Sequence, residues 1–121
     1  MKKILLVEDE DIIRELLTTK LKKEGYAVTI ACNGEEAMEK MRTSAPDLIL
    51  LDIVMPKKGG MEVMEEMQID PELKKIPVIV ISNSGQPVDI DRAQELGAKD
   101  WLIKTEFDPQ EVINKIIKQI G

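Results

Sequence analysis

The 121-residue sequence predicts an α/β protein: a doubly wound five-stranded parallel sheet with helices on both faces. Three observations carry that prediction. Leu48-Ile49-Leu50-Leu51 and Val78-Ile79-Val80-Ile81 are unbroken aliphatic runs of strand length, the pattern of strands buried on both faces. Segments with apolar residues at helical spacing stand before, between and after them. Strands that alternate with helices are joined by right-handed crossovers, which lay the helices over both faces of the sheet.

The elements follow in order. Ile4-Leu5-Leu6-Val7 is a short first strand ending in the acidic run Glu8-Asp9-Glu10-Asp11. Ile12, Ile13, Leu16, Leu17 and Leu21 then recur at helical spacing, and Gly25 supplies the stop. Tyr26 to Ala31 alternates as a second strand, with Cys32 as a small buried residue at its end. Asn33 and Glu36 form a capping box for a helix bearing Ala37, Met38 and Met41, and Pro46 closes that segment. The third strand runs from Asp47 to Asp52 and is stopped at Pro56, which cannot donate to a ladder. Gly59 and Gly60 permit a turn with positive φ. Met61, Met64 and Met67 stand at i, i+3 and i+6 on the next helix, a row read as core filling. Asp70-Pro71 and Pro77 bracket a linker, and the fourth strand ends in Ser82-Asn83-Ser84-Gly85. A helix around Val88, Ile90, Ala93 and Leu96 closes at Gly97, followed by a shorter fifth strand, Trp101-Leu102-Ile103, ending at Lys104. Asp108-Pro109-Gln110-Glu111 signals the last helix, with Val112, Ile113, Ile116, Ile117 and Ile120 as its stripe. With no repeat or internal linker, residues 1–121 read as one domain.

Composition removes several functions. There is no His and only one Cys, which excludes Ser-His-Asp and Cys-His triads, ordinary zinc sites and an internal disulfide. A net charge of −6 argues against direct nucleic-acid binding. After Met1-Lys2-Lys3 only four apolar residues precede Glu8, too few for a signal peptide or membrane span, so the expectation is a cytoplasmic chain with no membrane partner.

What remains is carried by the strand ends. In a doubly wound sheet the carboxyl ends of the strands converge on one edge, where ligands bind. That edge would collect Glu8 and Asp9, then Asp52, Ser82 and Lys104. Three carboxylates about 4 Å apart repel by about 4 kcal/mol per pair at an effective dielectric near 20, which a hard divalent cation relieves. Oxygen-only ligation suits Mg²⁺. A Lys and a hydroxyl beside the carboxylates suit a phosphoryl group, and a carboxylate can itself attack phosphorus. Spacing leaves the nucleophile open among the three acids. Asp52 is favoured because the middle strand lets it face both the metal and the Ser/Lys pair.

The residues Ile4-Leu5-Leu6-Val7-Glu8-Asp9, Leu51-Asp52-Ile53-Val54-Met55-Pro56 with Gly60, Ile81-Ser82, and Asp100-Trp101-Leu102-Ile103-Lys104 agree in order and spacing with one family. Along essentially its whole length the sequence resembles a response-regulator receiver domain, the family of the chemotaxis receivers. The resemblance implies a flavodoxin-like strand order 2-1-3-4-5, and Asp52 as acceptor of a phosphoryl group from the phosphohistidine of a sensor histidine kinase or phosphotransfer protein. It further implies Mg²⁺ on Asp9, Asp52 and the Val54 backbone carbonyl, with Glu8 assisting through water. Ser82 would hydrogen-bond the phosphoryl oxygen, Lys104 would neutralise it, and Ser82 with Trp101 would form the switch. The fifth strand and last helix would dock a downstream protein or form a homodimer. The resemblance does not make the chain an enzyme with a separate substrate.

Three departures from the family pattern stand out. Thr105 follows Lys104 where the family usually has a cis proline; a cis bond before a non-proline costs about 3–4 kcal/mol, so a trans bond or a strained cis exception is expected, with the loop around Lys104 displaced. Asn83 stands at a commonly small position, where it crowds the entry or donates to the phosphoryl, and Trp101 replaces a Tyr or Phe. Asn83 and Thr105 are therefore candidate modulators. Two other functions compete. An aspartate-nucleophile phosphatase usually carries a second Asp two residues after the first, where Val54 stands; Val54 also cannot orient an attacking water, so self-hydrolysis should be slow. A pseudo-receiver would keep the fold and bind proteins without phosphorylation. A flavodoxin-like cofactor binder is weaker, as no Gly/Ser/Thr phosphate loop follows the first strand. No output domain is visible in the sequence, so either a stand-alone receiver or a fragment is expected.

Overall fold

The computed structural model describes residues 1–83, 85–106 and 108–121. The sheet has five parallel strands: β1 (Lys3–Val7), β2 (Ala27–Ala31), β3 (Leu48–Asp52), β4 (Val78–Ser82) and β5 (Ala98–Ile103). Their spatial order is β2-β1-β3-β4-β5, as expected. Five helices connect and follow them: α1 (Asp11–Lys23), α2 (Gly34–Ser44), α3 (Gly60–Gln68), α4 (Pro87–Glu95) and α5 (Pro109–Ile120).

Alternate residues of each central strand face opposite layers, because side chains alternate across a pleated sheet. Leu5, Val7, Ile49, Leu51, Val78 and Val80 pack with Ala37, Met38, Met41, Val63, Met64, Met67 and Ala93 of α2, α3 and α4. Ile4, Leu6, Leu48, Leu50, Ile79 and Ile81 pack with Leu17, Leu21, Val112, Ile113 and Ile116 of α1 and α5. Every residue of β3 and β4 is buried. The unbroken aliphatic runs thus have a direct cause: neither face of these strands meets water.

The predicted local signals are present at most element ends. Asn33 accepts from Glu36 N at 2.9 Å, while the Glu36 carboxylate takes Asn33 Nδ2 at 3.1 Å and reaches the Cys32 amide at 3.4 Å. Asp108 accepts from Glu111 N at 2.9 Å. Gly25 and Gly97 adopt φ of 93° and 99°, as helix stops require. Met64 and Met67 are buried and Met61 packs against the same core, so the Met row fills the interior.

Other expectations are corrected. β5 starts at Ala98, three residues earlier than its apolar core suggested; an edge strand pairs on one side only, so Lys99 and Asp100 can join it. Of the α1 stripe only Leu17 and Leu21 are buried, while Ile12 is 82 % exposed and Leu16 is also exposed; four residues apart, these two share a flank of the helix that is turned away from the core filled by Leu17 and Leu21. Val88 and Ile117 are exposed on α4 and α5. Cys32 is only half-buried, lying one residue past the end of β2. Ser84, named in the fourth strand's polar ending, lies outside the described residues.

The loop after β3 differs most from expectation. Positive φ falls on Lys57 (67°), whereas neither Gly59 nor Gly60 is left-handed. The glycines serve close approach instead. A Cβ on Gly60 would collide with the Asp52 carbonyl oxygen and lie 2.9 Å from Ile53 Cα. Gly60 N also donates to Ile53 O at 2.8 Å, tying the start of α3 to the segment that bears Asp52. Gly60→Ala is therefore expected to destabilise the fold by about 1–3 kcal/mol through overpacking against backbone. Urea unfolding would measure it, and a loss below about 0.5 kcal/mol would show that the loop gives way freely.

Candidate functional site

Register brings the chemistry together. Val7 of β1 lies level with Leu51 of β3, Asp52 with Ile81 of β4, and Ser82 with Ile103 of β5. β3 thus ends one residue later than β1 and β4 one later than β3, while β5 ends level with β4, and Glu8, Asp52, Ser82 and Lys104 emerge along one edge. The chain runs outward from β1 to β2 and returns to β3, so the order reverses between β1 and β3. A crevice opens where neighbouring connections diverge in this way. An open cleft of about 540 Å³ lies there, lined by Asp9, Glu10, Asp52, Val54, Ser82, Asn83, Gln86 and Lys104.

Lys104 sits at the centre of the polar network. Its Nζ donates to Glu8 Oε2 at 2.9 Å and to Asp52 Oδ2 at 3.1 Å, and lies 3.6 Å from Glu10 Oε1. The backbone positions it, since Lys104 N donates to Ser82 O at 2.8 Å. The Lys104–Thr105 bond is trans, as no cis peptide occurs among the described residues. The expected displacement of the loop does not keep the ammonium from Asp52. Missing proline therefore leaves the cation in place.

Glu8, Asp9 and Asp52 each offer a carboxylate oxygen within 4.8 Å of the others. Glu8 and Asp52 are buried, and Asp9 is exposed at the rim. Burial, followed by the charge of Glu8, pushes the Asp52 carboxyl up to about 7, against the pull of Lys104. Burial draws the Lys104 ammonium down, but its bonds to Glu8 and Asp52 more than offset this and hold it above its usual range. One lysine does not neutralise this set of acids. Glu8 Oε1, fully buried, has no hydrogen-bond donor among the described residues. An unsatisfied buried carboxylate oxygen is costly, and an all-oxygen trio of this size fits a hard divalent cation such as Mg²⁺.

The remaining predicted residues fall around this centre. Ser82 is buried and lines the cleft; Asn83 is exposed at its edge, and Val54 is 77 % exposed there. Val54 N lies 3.4 Å from Asp52 Oδ1. Trp101 is half-buried against the core under α3 and α4. It lies level with Val80, so Trp101 and Ser82 point to the same face of the sheet. Thr105 is exposed and does not line the cleft.

Two participants escaped the sequence reading. Glu10 was read only as one member of the acidic run Glu8 to Asp11, but its carboxylate turns to Lys104. Arg14 holds the β1–α1 loop: it pairs with Asp11 and donates to the carbonyls of Glu8 at 3.3 Å and Asp9 at 3.5 Å. The Asp11–Arg14 spacing of three residues on a helix was the available signal.

Residues 4–117 match the family model described as the response regulator receiver domain. The chain is 40 % identical over 119 residues to the alkaline phosphatase synthesis transcriptional regulatory protein PhoP of Bacillus subtilis, covering 98 % of this chain and 48 % of that protein. It is 40 % identical over 120 residues to the probable transcriptional regulator ycf27 of Cyanidium caldarium, covering 97 % and 47 %. The chain spans about half the length of these curated relatives. Among solved structures, the chemotaxis response regulator CheY4 of Vibrio cholerae superposes with a TM-score of 0.91 at 28 % identity, covering 99 % of each chain. The phosphorylated cyanobacterial phytochrome response regulator RcpA gives a TM-score of 0.82 at 35 % identity, covering 95 % of this chain and 88 % of that one. By sequence, fold and the arrangement of its strand ends, this chain belongs to the response regulator receiver domain family of two-component signalling.

Proposed function

We propose that Asp52 accepts a phosphoryl group from the phosphohistidine of a sensor histidine kinase or phosphotransfer protein, and that the product switches the binding of a downstream protein. The observation that carries this reading is a buried carboxylate at the end of the middle strand, with Lys104 Nζ 3.1 Å away and two further acids within 4.8 Å. In the transfer, an Asp52 oxygen bonds to phosphorus as the P–N bond breaks, and the released imidazole takes a proton from solvent. Such reactions need chiefly positioning and charge neutralisation. Asp9, Asp52 and the Val54 carbonyl would hold Mg²⁺, with Glu8 assisting through water. The cation would offset negative charge on the phosphoryl oxygens.

Lys104 is bonded to Asp52, lines the cleft and is placed to pair with a phosphoryl oxygen. Ser82, buried beside the cleft, would donate its hydroxyl to another. Drawing Ser82 toward the phosphoryl would open space on the face it shares with Trp101, linking the chemistry to the β5–α5 surface where a partner or second copy would dock. The protein acts as a phosphoacceptor rather than as an enzyme with a separate substrate. Exposed, apolar Val54 cannot orient a hydrolytic water, so the phosphoryl should be lost slowly. In the full-length relatives, which are transcriptional regulators by name, any nucleic-acid contact would fall to the portion beyond this domain.

The test is phosphoryl-mimic binding. Unfolding midpoint and Trp101 fluorescence are followed with Mg²⁺ alone and with Mg²⁺ plus beryllofluoride, for the wild type and Asp52→Asn. A ligand specific for the folded state adds about 2.7 kcal/mol at 100 times its dissociation constant. A wild-type shift that disappears in Asp52→Asn supports the acceptor. The absence of a shift from either addition would instead favour a phosphorylation-independent binding module.

A further inference from the structure

The geometry points to Glu10 as a charge gate at the mouth of the cleft, one that slows loading of Asp52 by small anionic phosphodonors. The inference rests on Asp52 being the acceptor. Glu10 occupies the N-cap position of α1, yet its side chain makes no capping bond to the helix. Its carboxylate instead lies 3.6 Å from Lys104 Nζ and lines the cleft with Asp52, Ser82 and Asn83. The Glu10 side chain is 47 % exposed and that of Lys104 2 %, so Glu10 covers the solvent side of the ammonium. Its backbone is fixed there, because Glu10 N donates to Glu8 Oε2 at 3.0 Å, the same oxygen that accepts from Lys104. Arg14 is committed to Asp11 and to the Glu8 and Asp9 carbonyls. Lys104 is the one cation paired with Glu10 among the described residues.

An anion that enters the cleft therefore meets two obstacles. It passes a unit negative charge at the entrance, and its phosphoryl oxygens compete with Glu10 for Lys104. With acetyl phosphate the reaction is balanced without a further reactant: an Asp52 oxygen bonds to phosphorus, the P–O bond to the acetyl group breaks, and acetate leaves with the electron pair. Glu10 takes no part in those bonds. It sets how readily the donor arrives and how firmly its oxygens hold Lys104.

The test compares the full chain with Glu10→Gln, which keeps shape and removes charge, and Glu10→Asp, which keeps charge. Acetyl phosphate is supplied with Mg²⁺, loading is read from intact-protein mass, and beryllofluoride affinity is measured in parallel. Glu10→Gln should load about three- to tenfold faster at low ionic strength, the range expected for one charge about 6 Å away in a half-aqueous setting. Its advantage should shrink toward unity at about 1 M salt, where screening acts within about 3 Å. Beryllofluoride should bind it more tightly by a similar factor, while Glu10→Asp stays near the wild type. If the wild type binds beryllofluoride but Glu10→Gln loads no faster, or its advantage ignores salt, the gate is overturned and the acceptor stands. If the wild type neither loads nor binds beryllofluoride, the acceptor reading falls and the gate falls with it.

Discussion

Lys104→Met is expected to destabilise the cation-free protein by about 3–5 kcal/mol at pH 8, the cost of breaking a buried ion pair by removing one partner. Few single substitutions should cost more, because Lys104 serves Glu8 and Asp52 together and is itself almost fully buried. Methionine retains much of the side-chain volume, so the loss would report charge rather than a cavity. The pH dependence gives the cause away. Lys104 lowers the Asp52 carboxyl toward the ionised form, and without it that carboxyl would rise further above its ordinary range. In the variant, stability should recover as pH falls from 8 to 6 and the trapped Asp52 carboxylate takes up a proton. Mg²⁺ should restore part of the loss at pH 8 by supplying the missing positive charge. Urea unfolding at both pH values, with chelator and then with Mg²⁺, decides the matter. A loss under about 1 kcal/mol that is independent of pH would mean the pair is solvated and weak.

The sheet was legible in the sequence for a physical reason. A strand buried on both faces has no position that water reaches, so β3 and β4 announce themselves as unbroken aliphatic runs. Strand β5 was read short because its Lys99 and Asp100 lie at the sheet edge, where hydropathy no longer marks membership. Ile12 and Leu16 fit a helical stripe on paper, yet exposure depends on which flank of α1 is turned toward the sheet, which a broad apolar stripe does not fix. The loop glycines were assigned the wrong task for a similar reason. Gly60 is needed because another segment's backbone passes close by, a tertiary fact, while the strained φ went to Lys57.

The site divides along the same line. Asp52, Ser82 and Lys104 could be placed together because each terminates a strand and parallel strands end on one edge. Their order around the centre could not. That Lys104 bonds both Glu8 and Asp52, leaving one Glu8 oxygen without a donor among the described residues, follows from register and from the path of the β1–α1 loop. Glu10 illustrates the limit: on a sequence it is one acid of four in a row, and only the loop's turn distinguishes its carboxylate from that of Asp11. Thr105 shows the reverse case, a departure that looked disruptive but leaves the neighbouring lysine in the cluster because the Ser82 carbonyl anchors its amide.

Asp52→Asn is expected to raise the stability of the cation-free protein by about 1–3 kcal/mol at pH 8, while removing its response to beryllofluoride. The Asp52 carboxyl is pushed up to about 7 in the folded chain by burial and by Glu8. An unfolded chain returns it to about 3.9. Below pH 4 both states hold the proton, and the group contributes nothing to the pH dependence. Between about 4 and 7 the folded state holds a proton that the unfolded state has released, so stability falls as pH rises. Above 7 the full cost of an ionised, buried Asp52 is present. Asparagine cannot ionise, so the difference between variant and wild type should grow from pH 4 to 7 and then level off. The expected gain is set below the full shift because Lys104 loses an acceptor and the amide needs partners of its own. Saturating Mg²⁺ should narrow or reverse the difference, since the variant lacks a ligand. Unfolding measured from pH 5 to 8, with and without Mg²⁺, distinguishes the cases. A variant less stable than the wild type at pH 8 without the cation would show that the bond to Lys104 outweighs burial, and that Asp52 contributes to the resting fold instead of straining it.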